Sequence, residues 1–281
     1  MRLPYVLLSS VLVGVVSLSS ACGGSTERAQ DAPGPTAPSS AELSADTAFY
    51  AHMSSAYERV VQAVFAGAPG DVVCQRELVA GCVVSTCTPG AGTSKFSPAY
   101  DPGAVSASSP SLGGELAIPL TAGMGRIIQQ GLFTEGEQIR LKAAGGADFP
   151  TLDELVTVPE AMSVLAVDGC TATNAADQRC ALQASGAHLD WSGARGARVD
   201  VSIATYPPVS TYVGVKCSYD GAAASGWLPR DALARLAGQP SLRLGIALLD
   251  GAPRLHAGAT HAVAVYMRRW PAVSGVGVTL Q

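Results

Sequence analysis

Histidines, neighbouring acids and tryptophans are the side chains here whose chemistry has to be weighed first. Of His52, His188, His256 and His261 only the last two come close, five residues apart among Gly and Ala. No Glu completes the helical spacing that zinc hydrolysis uses, so they are expected to be solvated loop residues. Asp153 with Glu154, and Glu135 with Glu137, are the nearest acid pairs. General acid–base catalysis needs two carboxylates converging in a cleft, whereas acids this close along a chain read as a wetted edge. No serine stands in G-x-S-x-G and no lysine closes a phosphate loop. "GAGTSK" (Gly90–Lys95) lacks the preceding strand and the spacing, and reads as a turn-rich linker. Trp191 is expected in a core, and Trp227 and Trp270 complete the set. Trp270, beside Arg268 and Arg269, is the aromatic without a structural explanation and the candidate for stacking on a sugar face.

Cysteines carry the strongest signal. Cys22 stands apart near the start, and Cys74, Cys82, Cys87, Cys170, Cys180 and Cys217 remain. An even number outside the cytoplasm points to three disulfides, for which fifteen connectivities exist and sequence alone does not choose. The shortest bridge within one unit joins Cys170 to Cys180. Cys217 would then reach the Cys74, Cys82 and Cys87 group and couple the two halves of the chain. The competing reading, a metal site at Cys82 and Cys87, has neither a C-x-x-C nor an adjacent His. No metal and no cofactor is therefore expected.

The leader explains why Cys22 is set apart. Arg2 and the amino terminus give a positive start, and Val6 to Leu18 is an apolar run ending in small residues, which is the form of an export signal. It is shorter than the roughly 20 residues a spanning helix requires. Ser20 and Ala21 before Cys22, and Gly23 and Gly24 after it, resemble a lipobox, with Ser19 where that motif usually has Leu. The resemblance implies cleavage before Cys22 and transfer of diacylglycerol to its thiol. Each buried acyl methylene contributes about 0.8 kcal/mol, so two or three chains anchor firmly. The absence of Asp after Cys22 implies, by the same resemblance, an outer-membrane address.

The elements that must position these residues follow from patterning. Residues 22 to 45 are rich in Pro, Ser, Gly and Ala without apolar periodicity, which is the composition of a flexible tether. Phe49, Met53, Tyr57, Val60, Val61, Val64 and Phe65 recur at three- and four-residue steps. They predict an amphipathic helix from Thr47 to Phe65, capped by Asp46 and stopped at Gly67. Beyond residue 72, short Val-, Leu- and Ile-rich runs alternate with Gly, Pro and Asp clusters, the signature of sandwich strands. The runs are "LGGELAIPL", "GRIIQQGL", "GEQIRLKAAG" and "LDELVTVP", then "MSVLAV", "AHLDWSG", "ARVDVSIAT", "YVGVKCSYD", "SLRLGIALLD", "HAVAVYMRR" and "SGVGVTL". Asp168-Gly169, Asp220-Gly221 and Asp250-Gly251 supply turns, and "LPRDALARLAG" one short helix with Pro229 near its start. Two units are expected, residues 46–159 with the helix and residues 160–281.

The passage "HLDWSGARGARVDVSIAT" resembles the strand B to strand C region of immunoglobulin and fibronectin type III domains, where a Trp fills the core. With the "ACGG" leader, the whole resembles uncharacterised surface lipoproteins of the myxobacterial type. That resemblance implies a mainly β fold of two tandem immunoglobulin-like β-sandwich units behind a signal peptide (residues 1–21), a linker and one helix, and an envelope address.

Composition narrows the function classes. Hydrophobic residues make up 48% against 14% charged, enough to build buried cores. With a net charge of -4, and three Lys and fifteen Arg scattered, no basic stripe exists for nucleic acid. The reading that results is a noncatalytic, lipid-anchored envelope protein, binding or structural, whose protein or glycan partner the sequence does not name. That reading, whether the units bind a partner or simply occupy the surface, predicts no convergent polar pocket. A hydrolase predicts paired carboxylates or a Ser and His in a deep cleft. A glycan binder predicts Trp or Tyr side chains sharing one plane on a sheet.

Overall fold

The computed structural model describes residues 32–39, 47–54, 58–66, 72–89, 99–170, 179–206, 212–239, 241–258, 262–270 and 276–281. The leader, Cys22, "GAGTSK" and His261 lie outside these residues.

The chain is mainly β. The first half holds β1 (Thr47–Ser54), β2 (Glu58–Val64), β3 (Val72–Val79), β4 (Cys82–Pro89), β5 (Val105–Ser109), β6 (Gly114–Ala117), β7 (Met124–Gln130), β8 (Gln138–Ala143) and β9 (Leu152–Thr157). The second half follows with β10 (Ser163–Val167), β11 (Arg179–Leu182), β12 (Gly186–Ser192), β13 (Arg198–Thr205), β14 (Tyr212–Asp220) and β15 (Ser225–Pro229). After them come α1 (Arg230–Leu233), β16 (Leu242–Leu249), β17 (Arg254–Ala257), β18 (Ala262–Arg269) and β19 (Val276–Leu280).

The helix expected from Thr47 to Phe65 is instead the β1–β2 hairpin, paired from Ala48↔Val64 to Ser54↔Glu58. Burial on β1 has period two, not 3.6, with Phe49, Ala51 and Met53 nearly inaccessible, and on β2 Val61 and Ala63 follow the same phase, with Val60 buried beside them. Val60, Val61 and Val64 are β-branched and suit a pleated strand. Asp46 and Gly67, the expected boundaries, lie outside the described residues.

A second departure concerns the two units. One large sheet runs β3-β4-β14-β13-β16-β18-β1-β2-β7, so a block of four strands from beyond residue 159 is flanked on both sides by strands from before it. β1 lies parallel to β18, with Thr47 opposite Val263, and β4 lies antiparallel to β14. Two small sheets, β10-β12-β15 and β6-β5-β8-β9, share the large sheet's cores. Over one half, Leu189, Trp191 and Leu228 meet Val199, Val201, Ile203 and Leu244. Over the other, Ile139, Leu141 and Val156 meet Phe49, Val61 and Val265. Each core borrows a strand from the opposite half of the sequence. Cys82 and Val84 of β4 enter the first, and Val263, Val265 and Met267 of β18 enter the second. Two cores are present, but they share one floor and are not strung in tandem.

The short helix expected near Pro229 is α1 with a following 3-10 turn to Leu236, and it buries Ala232, Leu233 and Leu236 in the first core. Part of the expected tether also runs against the body. The Thr36 N–H donates to the Ser218 carbonyl at 2.7 Å, and a Cβ at Gly81 would stand 2.8 Å from the Pro35 oxygen.

Candidate functional site: a groove on the second face of the sheet

Six cysteines form three disulfides, Cys74–Cys87, Cys82–Cys217 and Cys170–Cys180. Each joins residues brought together by strand pairing. Cys74 and Cys87 are direct partners across the β3–β4 hairpin, and Cys170 and Cys180 form an isolated antiparallel bridge. Cys82 and Cys217 come next after the Lys216↔Val83 pair of β14 and β4. Both are fully buried, and their bond ties together positions 135 residues apart.

The other sequence candidates are dispersed. Asp153 pairs with Arg140 on neighbouring strands, Glu135 with Arg269, and Glu137 accepts hydrogen bonds from Ser111 and Thr134. His188 stands 3.5 Å from Asp190. His256, expected in a solvated loop, sits on β17 with Nε2 3.1 Å from Glu154 and that nitrogen buried. The correction has a simple cause, since β17 adds to the edge of β18 and carries the residue inward. Trp191 is core, its Nε1 donating to the Gly221 carbonyl at 2.9 Å. Among the described residues no group of three His, Cys, Asp or Glu is placed to hold a metal ion. A hollow of about 620 Å³ beside Tyr100 has two carboxylates, but Asp101 and Asp148 already accept backbone N–H groups of the same loops.

Functional geometry concentrates on the face of the large sheet turned away from both cores. Alternation puts Ala48, Tyr50 and His52 of β1 there, with Ala264, Tyr266 and Arg268 of β18, because their neighbours fill the second core. Parallel register sets Tyr50 opposite Tyr266 and His52 opposite Arg268. The tyrosine rings stack at 5.0 Å and 5°. The Arg268 guanidinium lies 5.1–5.6 Å from the rings of Tyr50, Tyr266 and Trp270, within cation–π range. Tyr50 donates to Gln62 at 3.1 Å.

Two strands further on, Asp200 of β13 faces the same side, with its β14 partner Ser218 and with Lys216. Asp200 Oδ1 accepts from Arg198 Nε at 2.8 Å and from Ser218 Oγ at 2.7 Å, and Lys216 stands 3.7 Å from Oδ2. Between the two groups β16 and β18 diverge, sharing only two register pairs. β17 takes up the edge of β18 that β16 leaves, and over these strands lies a groove of about 330 Å³, lower in the range of ligand clefts. Lys216, Asp200, Tyr266, Tyr50 and Arg268 line it above an apolar floor that includes Ala48 and Ala264.

Arg268 makes one hydrogen bond, to Tyr266 Oη at 3.3 Å, and no ion pair among the described residues. Its Nε and the His52 Nδ1 are buried without a partner among those residues. Burial, with the Arg268 charge adding to it, holds the His52 imidazole below the usual histidine range. Burial likewise raises the Tyr50 and Tyr266 phenols, so both remain protonated donors.

From this assembly the sequence singles out His52, as one of four histidines, and Trp270 with Arg268, whereas Arg269 turns to the other face and pairs with Glu135. A signal for the remainder did exist, in the polar phase of the β1 and β18 alternation. Compared with known proteins, the chain matches no family model and no curated protein sequence.

Proposed function

We propose that this is a noncatalytic lipoprotein of the cell envelope, held to the outer membrane by acyl chains on Cys22, and that its β body is a binding scaffold. Cysteine arithmetic carries the reading. Six of seven cysteines pair with one another, which supports folding in an oxidising compartment and leaves Cys22, by count, as the odd thiol. That thiol closes the leader's apolar run, where acylation would place it. Mass spectrometry of the mature amino terminus tests this: a diacylglycerol adduct on Cys22 is expected. Release of Cys22→Ser from the membrane fraction is expected as well. An unmodified amino terminus, or a serine variant that still sediments with membranes, would refute the anchor.

A second reading, that the scaffold recognises glycans, is favoured by the groove. Tyr50, Tyr266 and Trp270 gather on one side of one sheet, and hydroxyl-bearing aromatics above an apolar floor suit the mixed surface of a sugar ring. A role confined to occupying the surface has no use for such a gathering of polar and aromatic groups. Screening the mature chain on a glycan array tests this reading, and tyrosine-dependent binding is expected.

A further inference from the structure

We infer that the groove takes a carboxylate-bearing sugar, a ligand of the uronic acid class; this rests on the glycan reading above and narrows it. Charge is the first argument. Among the described residues, Arg268 sits between three aromatic rings without a carboxylate partner, and Lys216 has only Asp200, at 3.7 Å. Arg198 and Ser218 already occupy Asp200 Oδ1. Two cations thus border the cavity against a single, partly neutralised anion. A neutral sugar would leave them uncompensated, whereas a carboxylate would receive charge-assisted hydrogen bonds.

Asp200 supplies the second argument. Its Oδ2 meets only the Lys216 ammonium among the described residues, so it offers an acceptor to a hydroxyl group. An alkyl carboxylate brings no hydroxyl donor for that oxygen. A ring bearing both hydroxyls and a carboxylate satisfies acceptor and cations together, while its C–H face lies on the tyrosine edge and the alanine floor. An acidic peptide shares the charge but brings no hydroxyl array, and it is the competitor the experiment must separate.

The full mature chain is titrated with polygalacturonate, with its methyl ester, and with poly-glutamate. The ester keeps every ring and hydroxyl but removes the charge. Polygalacturonate is expected to bind at least tenfold more tightly than either, with affinity falling as salt rises. Lys216→Gln and Arg268→Gln are each expected to weaken it about tenfold, the scale of one charged hydrogen bond, and to weaken the ester by a clearly smaller factor, since its carbonyl accepts a hydrogen bond but carries no charge. Lys216 has a half-exposed side chain, so its variant serves even if the Arg268 variant does not fold. Equal binding of acid and ester would overturn the inference and leave the glycan reading standing. Preference for poly-glutamate, or no polysaccharide binding, would overturn both. Indifference to Lys216→Gln would remove the groove as the site.

Discussion

Asp250 and Met267 bind each other twice. The Asp250 N–H donates to the Met267 carbonyl at 3.2 Å, and the Asp250 carboxylate accepts the Met267 N–H at 2.8 Å. The exchange lies just past the two register pairs that join β16 to β18, Leu248↔Arg269 and Leu249↔Arg268, at the narrowest seam of the large sheet. The same carboxylate accepts the Thr157 N–H at 3.1 Å and Arg254 Nη1 at 2.9 Å. One nearly inaccessible side chain therefore ties the floor, the overlying β9 and the turn into β17. Because β18 belongs to the second core and β16 to the first, Asp250 holds the two halves in register.

Asp250→Ala strands those donors, and a buried donor left unsatisfied costs about 1–3 kcal/mol. A loss of roughly 2–4 kcal/mol is expected in urea unfolding, with Asp250→Asn intermediate because its remaining oxygen still accepts. A change under about 0.5 kcal/mol would show that the seam is held by packing alone.

The disulfides should rank by loop length. Cys82–Cys217 closes a loop spanning 135 residues and Cys74–Cys87 one spanning 13. Chain entropy gives about 5 and about 3 kcal/mol respectively. The first also fills a core, so a double Cys→Ala variant of it adds a cavity cost. Guanidinium midpoints should fall much further for the Cys82 and Cys217 pair than for Cys74 and Cys87. The reverse order would mean that the unfolded chain keeps structure around residue 217.

Much of the fold was readable where strands obey strict alternation. Val199, Val201 and Ile203 on β13, and Leu242, Leu244, Ile246 and Leu248 on β16, are all buried as their period requires. β1 and β2 failed because Phe49, Met53, Tyr57, Val60, Val61 and Val64 also satisfy helical steps. Ala51 and Ala63, too small to register as core positions, carry the strand phase instead. The shared floor was not legible, since no local pattern tells β1 to lie parallel to β18, with Thr47 beside Val263. The groove was hidden for the same reason. Its residues run from Thr47 to Arg268 and become neighbours only through that pairing and those that join β14, β13, β16 and β18.

Gly186 begins β12 at φ +126°, and a Cβ there would fall 2.1 Å from Trp227 Cζ2. Neither conflict relaxes cheaply, because the indole belongs to β15, the β12 partner strand, with His188 opposite Trp227. Gly186→Ala is expected to lose at least about 2 kcal/mol, read as a lowered thermal midpoint and altered tryptophan fluorescence. Gly277 has open space around its Cβ and an ordinary φ, and Ala there should change stability by less than about 0.5 kcal/mol. Equal effects at both positions would refute the steric argument.

His52 gives the fold a dependence on pH whose sign is fixed. Burial and the Arg268 charge hold its folded pKa below the unfolded value near 6.5, so the unfolded chain binds the extra proton first. Stability is then fully present above about pH 6.5 and declines as pH falls toward the depressed folded value, below which the slope vanishes. His52→Gln cannot take up that proton, and its stability should fall less between pH 7.5 and 5.5 than the native chain's when both are unfolded in urea. Removing the nearby charge in Arg268→Gln should shallow the slope too, because one of the two causes of the depression is lost. Parallel pH profiles for all three proteins would show that His52 titrates as freely in the folded chain as in the unfolded one.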